Sequence, residues 1–300
     1  MNPLWLDLFG EGPVVLDGGL STQLEAHGHR LLDPLWTGRV LLEDPAAITR
    51  AHADFVASGA DVVISASYQV SRRGFESAGL TPGSADAALI SSIEAARRAT
   101  EGTSARVAAS VGPYGAILHD GSEYRGRYGL SHDELVEFHG ERLAVLATGG
   151  ADLLAVETIP DVDEARAMVE VLADHPGIPA WMSFSAADEA HTCAGQEIEE
   201  AVAVATLAPS VMAVGINCSD PRHVAPLVMR MRSVTDLPVV VYPNAGGAWN
   251  PDDGSWDDSI RGPFAPALVE VWQQSGALGI GGCCGTDADV IRALADQRVR

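Results

Sequence analysis

The chain has 300 residues, 47% of them hydrophobic, and a formal net charge of -22 at pH 7. That is apolar material enough for a sizeable core, and the acidic surface disfavours nucleic acid and anionic membranes as partners. All 19 cationic side chains are arginines, which excludes chemistry that needs a lysine: a Schiff base, a pyridoxal phosphate linkage or a phosphate-binding P-loop. No apolar run reaches the roughly eighteen residues that cross a bilayer. Met1 to Asp7 carries no basic region or cleavage pattern, so no signal peptide is expected. Four cysteines, two of them adjacent, do not look like a secreted disulfide framework, and a cytoplasmic location is expected.

In chain order, short apolar runs alternate with helical stretches. Val14 to Leu16 reads as a strand, and Ala46 to Ser58 as a helix behind the Asp44-Pro45 cap. Val62 to Ile64 is followed by a helix over Ser84 to Thr100, and Val107 to Ala109 by one over Ser131 to Thr148. Leu153 to Val156 precedes Asp161 to Leu172, and Ala180 to Phe184 precedes Glu197 to Leu207. Met212 to Ile216, Val239 to Tyr242 and Leu278 to Ile280 complete the strands, with helices over Asp220 to Arg232, Pro263 to Ser275 and Asp287 to Ala295. Nearly all-apolar strands indicate a parallel sheet covered on both faces. Eight such units without a linker predict a single (β/α)8 TIM barrel over residues 1–300, in preference to an open doubly wound sheet. The longer inserts, Tyr68 to Thr81, Pro113 to Leu130 and Ala245 to Gly262, all follow strands and so fall on the face where barrels build active sites.

The same rim collects the reactive side chains. Cys218 ends the sixth strand, and Cys283 and Cys284 end the eighth. Three thiolates with one open position suit a catalytic zinc ion, and the flanking Gly281, Gly282 and Gly285 let adjacent cysteines turn to one side. Buried free thiols, or a vicinal disulfide between Cys283 and Cys284, are the alternatives. Cys193 reads as incidental. Asp17, before Gly18-Gly19, and Glu157 end strands one and four. They can hold an ammonium group, with glycine amides left for a carboxylate, or they can simply cap helices. Ser67 and Asn217 end further strands there and can donate further hydrogen bonds to a substrate, and Asn244 ends strand seven and can shape the same pocket. Trp36, Tyr68 and Tyr114 offer aromatic faces to a cation. The nine histidines show no paired metal spacing.

The motifs Leu16-Asp17-Gly18-Gly19, Gly59 to Gln69, Val156-Glu157-Thr158, Gly215-Ile216-Asn217-Cys218 and Gly281-Gly282-Cys283-Cys284-Gly285 resemble those of the homocysteine S-methyltransferase family. They run from residue 16 to residue 285. The resemblance implies a (β/α)8 barrel, Zn2+ on Cys218, Cys283 and Cys284, and the homocysteine ammonium group on Asp17 and Glu157, with Gly18 and Ser67 near its carboxylate. Thr158 stands where betaine-using relatives carry an aromatic residue. Neither their long C-terminal arm nor the further domains of cobalamin-dependent relatives is evident. The implied donor is therefore another sulfonium, S-methylmethionine first and S-adenosylmethionine second, in a monomer. Selenohomocysteine or selenocysteine is an alternative acceptor. A zinc- or amino-acid-binding barrel without turnover is the rival reading. A lyase is disfavoured by the missing lysine and by the lack of histidine ligands.

Overall fold

The computed structural model describes residues 2–246, 249–250, 255–256 and 264–298. Most of the predicted Ala245 to Gly262 insert therefore lies outside the described residues. Eight parallel strands are numbered here in chain order: β1 (Val14–Val15), β2 (Val62–Ile64), β3 (Arg106–Val111), β4 (Leu153–Ile159), β5 (Ala180–Phe184), β6 (Val211–Asn217), β7 (Val239–Tyr242) and β8 (Ala277–Ile280). Neighbours in sequence pair in parallel from β2 to β8, and β8 pairs with β1 through Val14–Gly279 and Val15–Ile280. A parallel bridge from Leu16 to Val62 closes the ring, as expected for a barrel and not for an open sheet. A short antiparallel ladder, Trp249–Asn250 with Ser255–Trp256, follows β7.

Each strand is followed by one of the outer helices, Pro45–Ala57, Pro82–Thr100, His132–Leu146, Val162–Ala173, Ile198–Ala205, Val224–Arg232, Pro266–Ser275 and Ala288–Asp296. Their starts follow from local chemistry. The side chains of Asp44, Thr81, Ser131, Asp161 and Asp287 accept from free first-turn amides, and Thr81 with Ser84 and Ser131 with Glu134 form reciprocal capping boxes. The predicted Asp220 start is displaced to Val224, because Asp220 bonds the Arg222 amide in a separate turn. Short helices at Pro3–Phe9, Leu20–Ala26, Thr37–Glu43 and Arg72–Ser77 are too brief to show an apolar period and were not anticipated.

Alternation along the strands sorts two cores. Val15, Val63, Val156, Val214 and Val241 pack outward against the helices. Val14, Leu16, Val62, Ala108, Leu153, Ala155, Trp181, Ala213, Val240 and Tyr242 fill the barrel interior with Trp5 of the first helix, which is fully buried. With the interior packed, the chemistry is confined to the rim.

Candidate metal and substrate site

The rim is built where the strands stop being regular. On β6 the inward phase that holds Ala213 continues to Asn217, and the next residue, Cys218, has φ +50°. Thr158, at the end of β4, has φ +60° and coincides with a register shift between Val156 and Ile159. Left-handed backbone at a β-branched threonine and at a cysteine costs on the order of 1–3 kcal/mol each and persists only where the surroundings enforce it. Asn217 provides that enforcement. Its Oδ1 accepts from the Thr158 amide at 2.7 Å and from Ser183 Oγ at 2.8 Å, while its Nδ2 donates to Thr158 Oγ1 at 2.7 Å. Asn217, Thr158 and Ser183 are all buried, so Asn217 fixes the ends of β4, β5 and β6 while one Nδ2 N–H remains for another acceptor.

The loop after β8 is held as tightly. Cys283 donates its amide to Pro243, Gly282 to Asp17, and Ala245 to Cys284, which ties the ends of β1, β7 and β8 together. Gly19 donates to the Thr286 carbonyl at 2.9 Å and to Thr286 Oγ1 at 3.0 Å. A Cβ on Gly19 would overlap the Cys283 carbonyl oxygen, which explains glycine there. Gly285, at φ +77°, makes the bend that turns both cysteines to one side.

Cys218, Cys283 and Cys284 are thereby brought together, their sulfur atoms all within 4.8 Å of one another. Cys218 and Cys284 are 3.7 Å apart, Cys283 and Cys284 4.0 Å. Sulfur atoms at the corners of a tetrahedron with metal–sulfur bonds of about 2.3 Å lie about 3.8 Å apart, so the spacing and the donor set fit a thiophilic ion such as zinc. None of the four cysteines is disulfide-bonded. Cys193, the fourth, stands apart from the cluster, its thiol pushed up to about 11 by burial. Sharing of protons among the three sulfurs pushes the Cys218 thiol well below the ordinary range and the other two above it.

Asp17 and Glu157 are both buried. Asp17 Oδ2 accepts from the Ile64 amide at 2.8 Å, and Glu157 accepts from the Ser110 hydroxyl. Burial pushes Glu157 up to about 7 against the pull of the Ser110 hydrogen bond. Burial also raises Asp17 well above the carboxylate range, with the nearby Glu157 adding to it. Neither caps a helix among the described residues. Among the described residues no cation pairs with either buried acid, so together they are suited to receive a positive group. The Gly18 amide has no hydrogen-bond partner among the described residues. Ser67 is fully buried, and its hydroxyl bonds Ser65 and the Ser110 carbonyl at 2.8 Å each. Its position is fixed from behind by Arg142, fully buried on the His132–Leu146 helix, which donates to the carbonyls of Ser67, Tyr68, Val70 and Gly112. Asn244 is buried beside Ser219, with Oδ1 unpaired among the described residues.

Of the aromatic candidates, Trp36 and Tyr68 meet edge to face at 6.3 Å, and Tyr68 lies within electrostatic reach of Cys218 and Glu157. Tyr114 packs away from them, between Tyr128 and Phe138, and is structural. Two neighbours were missed in the sequence. Glu123 and Tyr124 sit on a 3-10 turn, Ser122–Tyr124, in the insert after β3. The Tyr124 hydroxyl lies 3.0 Å from Cys218 Sγ, and burial among the cysteines raises it well above the phenol range. Glu123 is pushed up to about 7, by burial first and by Cys218 next. The signal for both was only their place in a long rim insert, because loop conformation has no periodicity to read.

The homocysteine S-methyltransferase family model matches residues 14–298. A homocysteine S-methyltransferase of Zea mays is 42% identical over 97% of this chain and 91% of its own length. A selenocysteine Se-methyltransferase of Brassica oleracea is 39% identical over 96% and 89%. The solved structure of the homocysteine methyltransferase MmuM from Escherichia coli in its metallated form superposes with a TM-score of 0.88 at 39% identity, covering 99% of this chain and 100% of that one. With its ring of eight strands and its three convergent cysteines, the chain belongs to the homocysteine S-methyltransferase family.

Proposed function

We propose that the chain transfers a methyl group from S-methylmethionine, with S-adenosylmethionine as a second donor, to the thiol of homocysteine, forming methionine. The observation that carries the reading is three sulfur atoms at tetrahedral spacing beside two buried carboxyls that have no cation partner among the described residues. Cys218, Cys283 and Cys284 would hold Zn2+, whose chemistry is to draw a substrate thiol, about 8.5 in pKa when free, into its nucleophilic thiolate form at neutral pH.

The other steps belong to this chain's own residues. Asp17 and Glu157 take the homocysteine ammonium group, which supplies the cation that their burial lacks. The Gly18 amide and the Ser67 segment receive its carboxylate. Asn217 positions the strand ends and so aims Glu157 and Cys218. Trp36 and Tyr68 offer π faces to the sulfonium and keep water from the reacting atoms. In the transfer, a sulfur lone pair of homocysteine forms the new bond to the methyl carbon. The old C–S bond leaves its electron pair on the donor, which departs as a neutral thioether, so no general acid is needed. Positioning of the two sulfur atoms supplies most of the rate enhancement.

Thiols that must stay reduced fit a cytoplasmic enzyme, and we take the working unit to be a monomer with no nucleic-acid or membrane partner. Among the described residues no helix is long and apolar enough to cross a membrane. A selenol acceptor is a second reading, favoured by the similarity to the Brassica selenocysteine enzyme. The test is product stoichiometry. Reduced, zinc-loaded protein given homocysteine and S-methylmethionine is expected to form two methionines per homocysteine consumed, because the spent donor is itself methionine. Bound zinc with no methionine from any sulfonium donor would favour the binding-only barrel.

A further inference from the structure

Two carboxyls at this rim are accounted for by one ammonium group, and a third is not. Glu123 reaches the site from the insert after β3, beside Tyr124, whose hydroxyl touches Cys218. Its Oε2 is sealed from solvent and has no hydrogen-bond partner among the described residues. It lies within electrostatic reach of Cys218, Cys284 and Tyr68. The neighbouring Arg125 acts on it only through space, since that guanidinium gives its hydrogen bonds to Asp120 and Ser122. Glu123 as a whole is half-buried and its own amide bonds the carboxyl, but the sealed Oε2 is left able to receive a positive or hydrogen-bond-donating ligand group.

We propose that Glu123 accepts the α-ammonium group of the methyl donor, so that the rim holds two amino acids, each by carboxyls of its own. This rests on the reading of the reaction given above. The choice of the ammonium over the sulfonium follows from the charge changes in the step. The sulfonium charge is extinguished as the methyl leaves, so a carboxylate against it would stabilise the bound donor more than the transition state and slow the transfer. The ammonium charge and its protons are the same before and after, so a carboxylate there holds the donor without opposing the chemistry. The Tyr68 and Trp36 faces are left for the sulfonium. Glu123 is thus a specificity residue, separating amino-acid sulfonium donors from those without an ammonium group.

The test compares S-methylmethionine with its des-amino analogue, 4-(dimethylsulfonio)butanoate, at saturating homocysteine in zinc-loaded wild type, Glu123→Gln and Glu123→Asp. The Gln variant is expected to raise the KM for S-methylmethionine about tenfold or more, the scale of one charge-assisted hydrogen bond. The KM values for the analogue and for homocysteine, and the zinc content, should stay at wild-type levels, and the Asp variant should recover part of the loss. Equal losses for both donors, or an unchanged preference between them, would overturn the assignment while the methyl transfer stands. Wild type that forms no methionine from any sulfonium donor would defeat the reaction itself, and this inference with it.

Discussion

At the scale of single residues, side chains proposed to hold the metal are distinct from those proposed to hold substrate. Cys284→Ser removes one of the three proposed sulfur ligands and is expected to lose zinc and methyl transfer together, as read by metal analysis beside methionine formation; zinc at wild-type occupancy would take Cys284 out of the ligand set. Asp17→Asn leaves the sulfur cluster intact and is expected to raise the homocysteine KM about tenfold or more with zinc unchanged. Glu157 carries a pH signature. The folded protein holds its proton more tightly than the unfolded chain does, with the carboxyl carried from 4.5 up to about 7. The stability from that group is therefore complete below about pH 4.5 and lost as the pH rises through about 7. Substrate-free, zinc-free Glu157→Gln is accordingly expected to exceed wild type in stability at pH 8, on the order of 3 kcal/mol, with the difference gone near pH 4. Urea unfolding at the two pH values measures it, and a difference independent of pH would contradict the assignment.

At the scale of elements, the decisive feature is how strands end. The sequence marked Asp17, Glu157, Asn217, Cys218, Cys283 and Cys284 as strand-end residues, because a nearly apolar strand followed by a polar or glycine-rich motif has a recognisable boundary. It did not show that Asn217 ties three strand ends together, since its contacts with Thr158 and Ser183 join positions 59 and 34 residues away. Nor did it show the left-handed turns at Thr158 and Cys218, for neither residue type advertises them. Glu123 and Tyr124 were hidden for a related reason. Arg142 is the clearest case of an element acting at a distance, with one helix donating to four carbonyls of the β2 and β3 loops. Arg142→Met strands those buried carbonyls and is expected to cost at least about 3 kcal/mol in chemical denaturation. A loss under 1 kcal/mol would mean that water replaces the guanidinium, and that the loops do not depend on it.

At the scale of the whole molecule, the barrel was legible because eight repeated units have a strong periodic signal, whereas the Pro3–Phe9 helix that plugs its interior with Trp5 spans too few residues to register. That division leaves the interior to stability and the rim to chemistry, in a structure where the ends of β1, β4, β6 and β8 converge on one small site. The central claim is that the cysteines and the carboxyls act on one homocysteine molecule, the former on its thiol and the latter on its ammonium group. The most direct measurement is the number of protons released on binding, from calorimetry at pH 7 in buffers of different ionisation heat, for homocysteine and for homoserine on the reduced, zinc-loaded protein. Any release from Asp17 and Glu157 is common to both ligands, so the account predicts close to one additional proton for homocysteine, from a thiol that is otherwise mostly protonated at this pH. Equal proton release by the two would contradict it.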